Sequence, residues 1–107
     1  MIIALFRSRL RPGVEPAYKE LITNLVPIAQ SIPGYIRHKA YVSEDGERVT
    51  IVEYENEDAL QAWRQHPEHL AAKRIGIREF YKEYRVQICE LKSERRPPSQ
   101  VHATTNK

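Results

Sequence analysis

Cysteine is almost missing from this chain. Cys89 is the only one in 107 residues, which excludes an internal disulfide and a zinc site built from paired cysteines. It falls in an apolar-alternating stretch, where a reduced, packed thiol is expected. Long apolar runs are also lacking. The longest are a few residues, against the ~20 that a membrane helix requires. The start "MIIALFRSRLRPG" has no basic leader, no long apolar segment and no small-residue cleavage site, so a cytoplasmic protein is the expectation. One-sided charge is scarce in the body of the chain. The net charge is +3, but the tail "KSERRPPSQVHATTNK" sets Lys92, Arg95, Arg96 and Lys107 against Glu94, leaving the remainder close to neutral. That balance disfavours nucleic-acid binding, which needs basic residues gathered on a folded face. Metal-ligand spacing is absent as well. His66 and His69 are three apart, but Pro67 interrupts them, while His38 and His102 lie elsewhere. Structural or catalytic zinc takes three or four protein ligands, so no metal is expected.

What remains has a regular plan. Residues 2–10, "IIALFRSRL", read as a strand whose consecutive apolar start implies burial on both faces. After "RPGVEP", Tyr18, Leu21, Ile22, Leu25, Ile28, Ala29 and Ile32 recur at three- and four-residue steps, one stripe of a helix. Pro16 suits its first turn, and Pro27 is expected to kink or shorten its end. "YIRHKAYVS" alternates as a strand, "EDGE" is a hairpin turn around Asp-Gly, and "RVTIVEYE" returns with two buried faces. Asn56 can cap the next helix, with Glu57 and Asp58 in its first turn, and Pro67 restarts that helix after "RQH". "RIGIREFYKEY" leads into a last strand, about 80–91, with Phe80, Tyr84, Val86 and Ile88 on one face. From Ser93 onward Pro, Ser, Thr and charges replace apolar residues, so residues 1–92 are expected to fold and 93–107 to form a disordered polar, basic tail.

The order βαββαβ predicts an α+β, ferredoxin-like fold with a four-stranded antiparallel sheet, its first and third strands central. Two helices cover only one side of such a sheet. The other side also carries apolar residues, and a second copy of the chain is the simplest cover, so a homodimer is predicted.

The stretch "AWRQHPEHLAAK" holds the single Trp and two of the four His. Trp63, three after Leu60 and seven before Leu70, has core spacing. Alternatively, Trp63, Tyr81, Tyr84, His69 and Arg78 supply the aromatic walls and few polar groups of a pocket for a flat conjugated molecule. A His moves protons near neutral pH, and an Arg can hold a phenolate or enolate oxygen.

"EYENEDALQAWRQHPEHLAAKRIGIREFYKEYRV", with the strand order before it, resembles the antibiotic biosynthesis monooxygenase domain family over about residues 2–91. The resemblance implies a dimeric α/β barrel with a pocket between sheet and helices. It also implies a cofactor-independent monooxygenase that oxidises a small aromatic, quinol- or polyphenol-like substrate with dioxygen. Trp63 matches the family's pocket-lining Trp, and His69 matches the second His of "H-x-x-H". Arg78 and Tyr81 stand where relatives have "GR…YY", one residue displaced in "GIREFY". His69, Trp63 and Arg78 are the implied catalytic group, with Tyr81, Tyr84, His66 and Phe6 binding substrate. The haem-degrading branch also has the Trp, but it needs a His ten residues later and an Asn on the first strand. Here position 73 is Lys and the strand offers Phe6 or Arg7. Isomerisation of a small oxo compound and a non-catalytic binding dimer are the other readings of the same pocket.

Overall fold

A computed structural model describes residues 1–98. The elements run β1 (Ile2–Leu10), α1 (Glu15–Gln30), β2 (Tyr35–Val42), β3 (Arg48–Tyr54), α2 (Glu57–Arg64), α3 (Pro67–Ile75), a π-helical turn (Gly76–Phe80) and β4 (Tyr81–Glu90). All strand pairs are antiparallel, in the order β2-β3-β1-β4. The two strands whose apolar residues run consecutively are therefore the central pair, as their composition requires. The fold is α+β and ferredoxin-like. Residues 93–98 are exposed and carry no helix or strand, while the rest of the expected disordered tail lies outside the described residues.

Helix boundaries follow local chemistry. Asn56 caps α2, its Oδ1 accepting the N–H of Ala59 at 3.0 Å. Pro67 opens α3 at its first turn, and the preceding His66 caps it through Nδ1, which accepts the Glu68 N–H at 3.1 Å. Pro27 lies inside α1, which continues to Gln30 and stops short of Ile32, the last residue of the apolar stripe. Pro27 and Thr23, the residue whose carbonyl it cannot bond, both lie on the exposed face, so water can serve the released carbonyl.

Antiparallel partners share a face, so the register sorts the sheet. Ile2, Ala4, Phe6 and Ser8 of β1 face the helices with Val52 and Tyr54 of β3 and Tyr84, Val86 and Ile88 of β4. Ile2, Ala4, Ile32, Tyr54, Ala59 and Leu60 form the core, with Tyr35, Val52 and Trp63 packed against it. The helices leave the end of this face open: Tyr84 is 40%, Val86 51% and Ile88 40% exposed. On the opposite side lie Ile3, Leu5, Val49 and Ile51, partly buried within this one chain. Ion pairs flank them, including Arg9–Glu83 at 3.1 Å and Arg37–Glu53 at 3.2 Å. Cys89 belongs to this side and is exposed rather than packed, because no element covers it.

Two bulges break the alternation. Arg9 pairs with Glu83 but Leu10 pairs with Tyr81, so Lys82 is an extra residue in β4; Ile36 is its counterpart in β2. The first bulge brings Tyr81 to the same face as Tyr84, where regular pleating would oppose them. The expected face of Phe80, Tyr84, Val86 and Ile88 is corrected in one respect. Phe80 ends the π-helical turn, buried edge-on against Tyr18 at 5.9 Å.

Candidate functional site

Helix α2 ends at Arg64 and α3 begins at Pro67, and the bend folds His69 back over Trp63. The two rings stack with centroids 4.5 Å apart and planes 25° from parallel. His66 sits 6.0 Å from the same indole, tilted. Its Nδ1 is committed to the α3 cap, so its first task is structural. Burial lowers the His69 pKa below the usual imidazole range, and repulsion from Lys73 and from the neighbouring His66 ring acts in the same direction. The carbonyls of Arg64 and Trp63, at the C-terminal end of α2, oppose that shift. Nδ1 of His69 is itself buried without a hydrogen-bond partner. At neutral pH the ring is therefore uncharged, a proton acceptor resting on an aromatic face.

The expected substrate-binding residues form a second cluster. Phe6 meets Tyr81 edge-on at 5.3 Å and Tyr84 at 6.1 Å, with Tyr81 and Tyr84 5.6 Å apart. Tyr18 of α1 closes the group at 5.8 Å from Tyr81. Burial raises the Tyr81 pKa well above the ordinary phenol value, helped by its proximity to Tyr18, so its hydroxyl stays neutral. Gly76 lies so close beneath this ring that a Cβ there would come within 2.4 Å of Tyr81 Cε2. A cleft of about 410 Å³ opens beside Tyr81 and Tyr84, lined also by Arg11, Ile77, Lys82 and Glu83. Neither this cleft nor a 250 Å³ hollow near Ser8 is lined by Trp63 or His69.

Arg78 joins neither cluster. Its side chain is 67% exposed and pairs with the adjacent Glu79 at 2.6 Å. In this structure its guanidinium is engaged with Glu79 and meets none of the aromatic rings expected around it. The π-helical turn rotates it outward, which the one-residue displacement in "GIREFY" had foreshadowed. Arg11, which sequence reasoning passed over, is exposed as well but is tied to this turn. Its guanidinium donates to the carbonyls of Ile77, Arg78 and Tyr81. A second overlooked pair is Tyr35 and His38, joined by a 2.6 Å hydrogen bond between the Tyr hydroxyl and His Nδ1. The bulge at Ile36 puts both on one face, and alternation alone gave no signal of it. Among the described residues, no group of three or more His, Cys, Asp or Glu is placed to hold a metal ion.

The family described as "Antibiotic biosynthesis monooxygenase" matches residues 1–75. An uncharacterised Bacillus subtilis protein, YqjZ, is 28% identical over 92 residues, covering 86% of this chain and 81% of that one. Among solved structures, Rv0793 of Mycobacterium tuberculosis superposes with a TM-score of 0.78 at 21% identity, over 87% of this chain and 96% of its own. SnoaB of Streptomyces nogalater, described as a cofactor-independent oxygenase, gives 0.75 at 14% identity, over 87% and 94%. Identities this low establish a shared fold and no more.

Proposed function

The chain belongs to the antibiotic biosynthesis monooxygenase family, and from that premise we propose that it is a cofactor-independent monooxygenase acting on a small, electron-rich aromatic such as a quinol. The observation that carries the reading is the uncharged His69 stacked on Trp63. The indole offers a flat surface to a conjugated ring. His69 takes the phenolic proton, and the substrate anion supplies the electrons that reduce dioxygen. In the balanced reaction a quinol and O₂ give a hydroxyquinone and water. A ring carbon–oxygen bond forms as a ring C–H bond breaks, and the hydroperoxide O–O bond breaks. Oxidation of the quinol to the quinone supplies the other two electrons, and the departing oxygen leaves with two protons as water. A lowered pKa keeps His69 in its free-base form at neutral pH, at the cost of making it a weaker acceptor. SnoaB, described as a cofactor-independent oxygenase, has the same fold, so the fold is compatible with such a route.

In this proposal two copies pack through the open side of the sheet, covering Ile3, Leu5, Val49 and Ile51, while the Phe6–Tyr81–Tyr84 wall on the helix side lines the substrate chamber. Sedimentation equilibrium showing a monomer at micromolar concentration refutes that assembly. The chemistry is tested with a panel of naphthohydroquinones and polyphenols under air and under nitrogen. Oxygen uptake that matches product formed, and is lost in His69→Ala, supports it. Turnover that ignores oxygen points to isomerisation instead, and turnover that survives His69→Ala with Trp63→Phe removes this site from the reaction.

A further inference from the structure

Arg11 stands just beyond β1 and ties that strand's end to the turn before β4. Its main-chain N–H donates to the Phe80 carbonyl at 2.8 Å. Its Nε donates to Tyr81 O at 3.2 Å, Nη1 to Arg78 O at 2.8 Å and Nη2 to Ile77 O at 3.2 Å. The carbonyls of the π-helical turn form the negative end of the α3 dipole, where a cation is favoured. A guanidinium has five N–H groups. Three are engaged here, which leaves two free on a group already held in place. Among the described residues, no carboxylate lies within ion-pair distance of Arg11 or of Lys82. Glu83, the one acid on the same cleft, is taken by Arg9 at 3.1 Å. The cleft thus combines two unneutralised cations with the side chains of Ile77, Tyr81 and Tyr84 in about 410 Å³, within the range of small-ligand sites.

We propose that this cleft binds a flat aromatic carboxylate, its ring against Tyr81 and Tyr84 and its carboxylate accepting the two free N–H groups of Arg11. A guanidinium fork matches a carboxylate in plane and spacing. Because the fold itself immobilises Arg11, a ligand loses little further side-chain freedom on meeting it. Lys82, extruded by the bulge, adds a second positive charge at the rim. The site is distinct from the Trp63–His69 pair and goes beyond the proposed function, with which it shares only the Tyr81–Tyr84 wall.

The full chain, labelled with nitrogen-15, is titrated with 1-naphthoate and separately with the uncharged 1-naphthamide. Naphthoate is expected to shift the amide signals of Arg11, Ile77, Tyr81 and Tyr84, to weaken as salt is raised, and to bind at least about tenfold more tightly than the amide. Arg11→Met should bring naphthoate down to the level of the amide. Since that change also frees three carbonyls, Lys82→Met serves as a milder second variant, expected to weaken naphthoate several-fold with the spectrum otherwise unchanged. Equal binding of acid and amide, shifts confined to Trp63 and His69, or no binding of naphthoate overturns the proposal. None of these readouts uses turnover, so a chain that never consumes oxygen can still satisfy them, and their failure leaves the His69 chemistry standing.

Discussion

Gly76→Ala tests whether the π-helical turn and the Tyr81 ring form one packed unit. The backbone at Gly76 is helical, with φ −59° and ψ −47°, so alanine meets no backbone strain there. In an open helix it would stabilise by about 1 kcal/mol over glycine. Here its Cβ would lie 2.4 Å from Tyr81 Cε2, 3.0 Å from Cζ and 3.1 Å from Cδ2. The ring cannot swing clear without disturbing Phe6, Tyr18 and Tyr84. Overpacking of this kind costs about 1–3 kcal/mol. The net effect is a loss of roughly 0–2 kcal/mol once the helix preference is counted. In a Tyr81→Val background the clash disappears, and the same Gly76→Ala should stabilise by up to about 1 kcal/mol. Urea unfolding of the four proteins in the cycle reads the coupling, expected at about 1–3 kcal/mol and seen in the midpoint at constant m. A coupling under about 0.5 kcal/mol, the ordinary spread for independent sites, refutes the reasoning.

Leu60, 2% exposed and the largest fully buried side chain, should cost about 2–5 kcal/mol when cut to alanine, measured by the same unfolding. Asn56→Ala removes the α2 cap and should cost about 0.5–2 kcal/mol, whereas Asn56→Asp should retain most of the stability. His69, whose folded pKa lies below its unfolded one, contributes stability that is complete above about pH 6.5 and is lost as pH falls through the lowered value. His69→Gln should flatten that acid-side loss, and an NMR titration of the imidazole signals should show the His69 midpoint below the free-histidine value. A midpoint above it contradicts the burial argument.

The sequence conveyed the fold through signals that survive without tertiary context. Consecutive apolar residues marked the central strands, Asn56 announced a cap, and Pro67 announced a new helix. The candidate site was legible only where local geometry dominates. Trp63 and His69 meet because a short bend joins two helical pieces, and the spacing already contained that bend. Arg78 and Arg11 could not be ranked in the same way. Which arginine is tied to the backbone of the turn and which stands free of it depends on the pitch of the turn at Gly76–Phe80, where an α-helical reading of the sequence does not apply. Tyr35 and His38, and likewise Tyr81 and Tyr84, are three apart. A reader of strict alternation assigns each pair to opposite faces, and only the pairing register reveals the extra residue between them. The exposure of Cys89 followed neither from its apolar neighbours nor from its strand position, because it depends on what lies across the open sheet.

The extra residue at Lys82 also has a genetic side. Losing one codon there would restore the regular pleat and throw Tyr81 through the sheet, away from Phe6 and Tyr18. Point substitutions can only tune this wall of rings, whereas a single-codon length change dismantles it at a stroke.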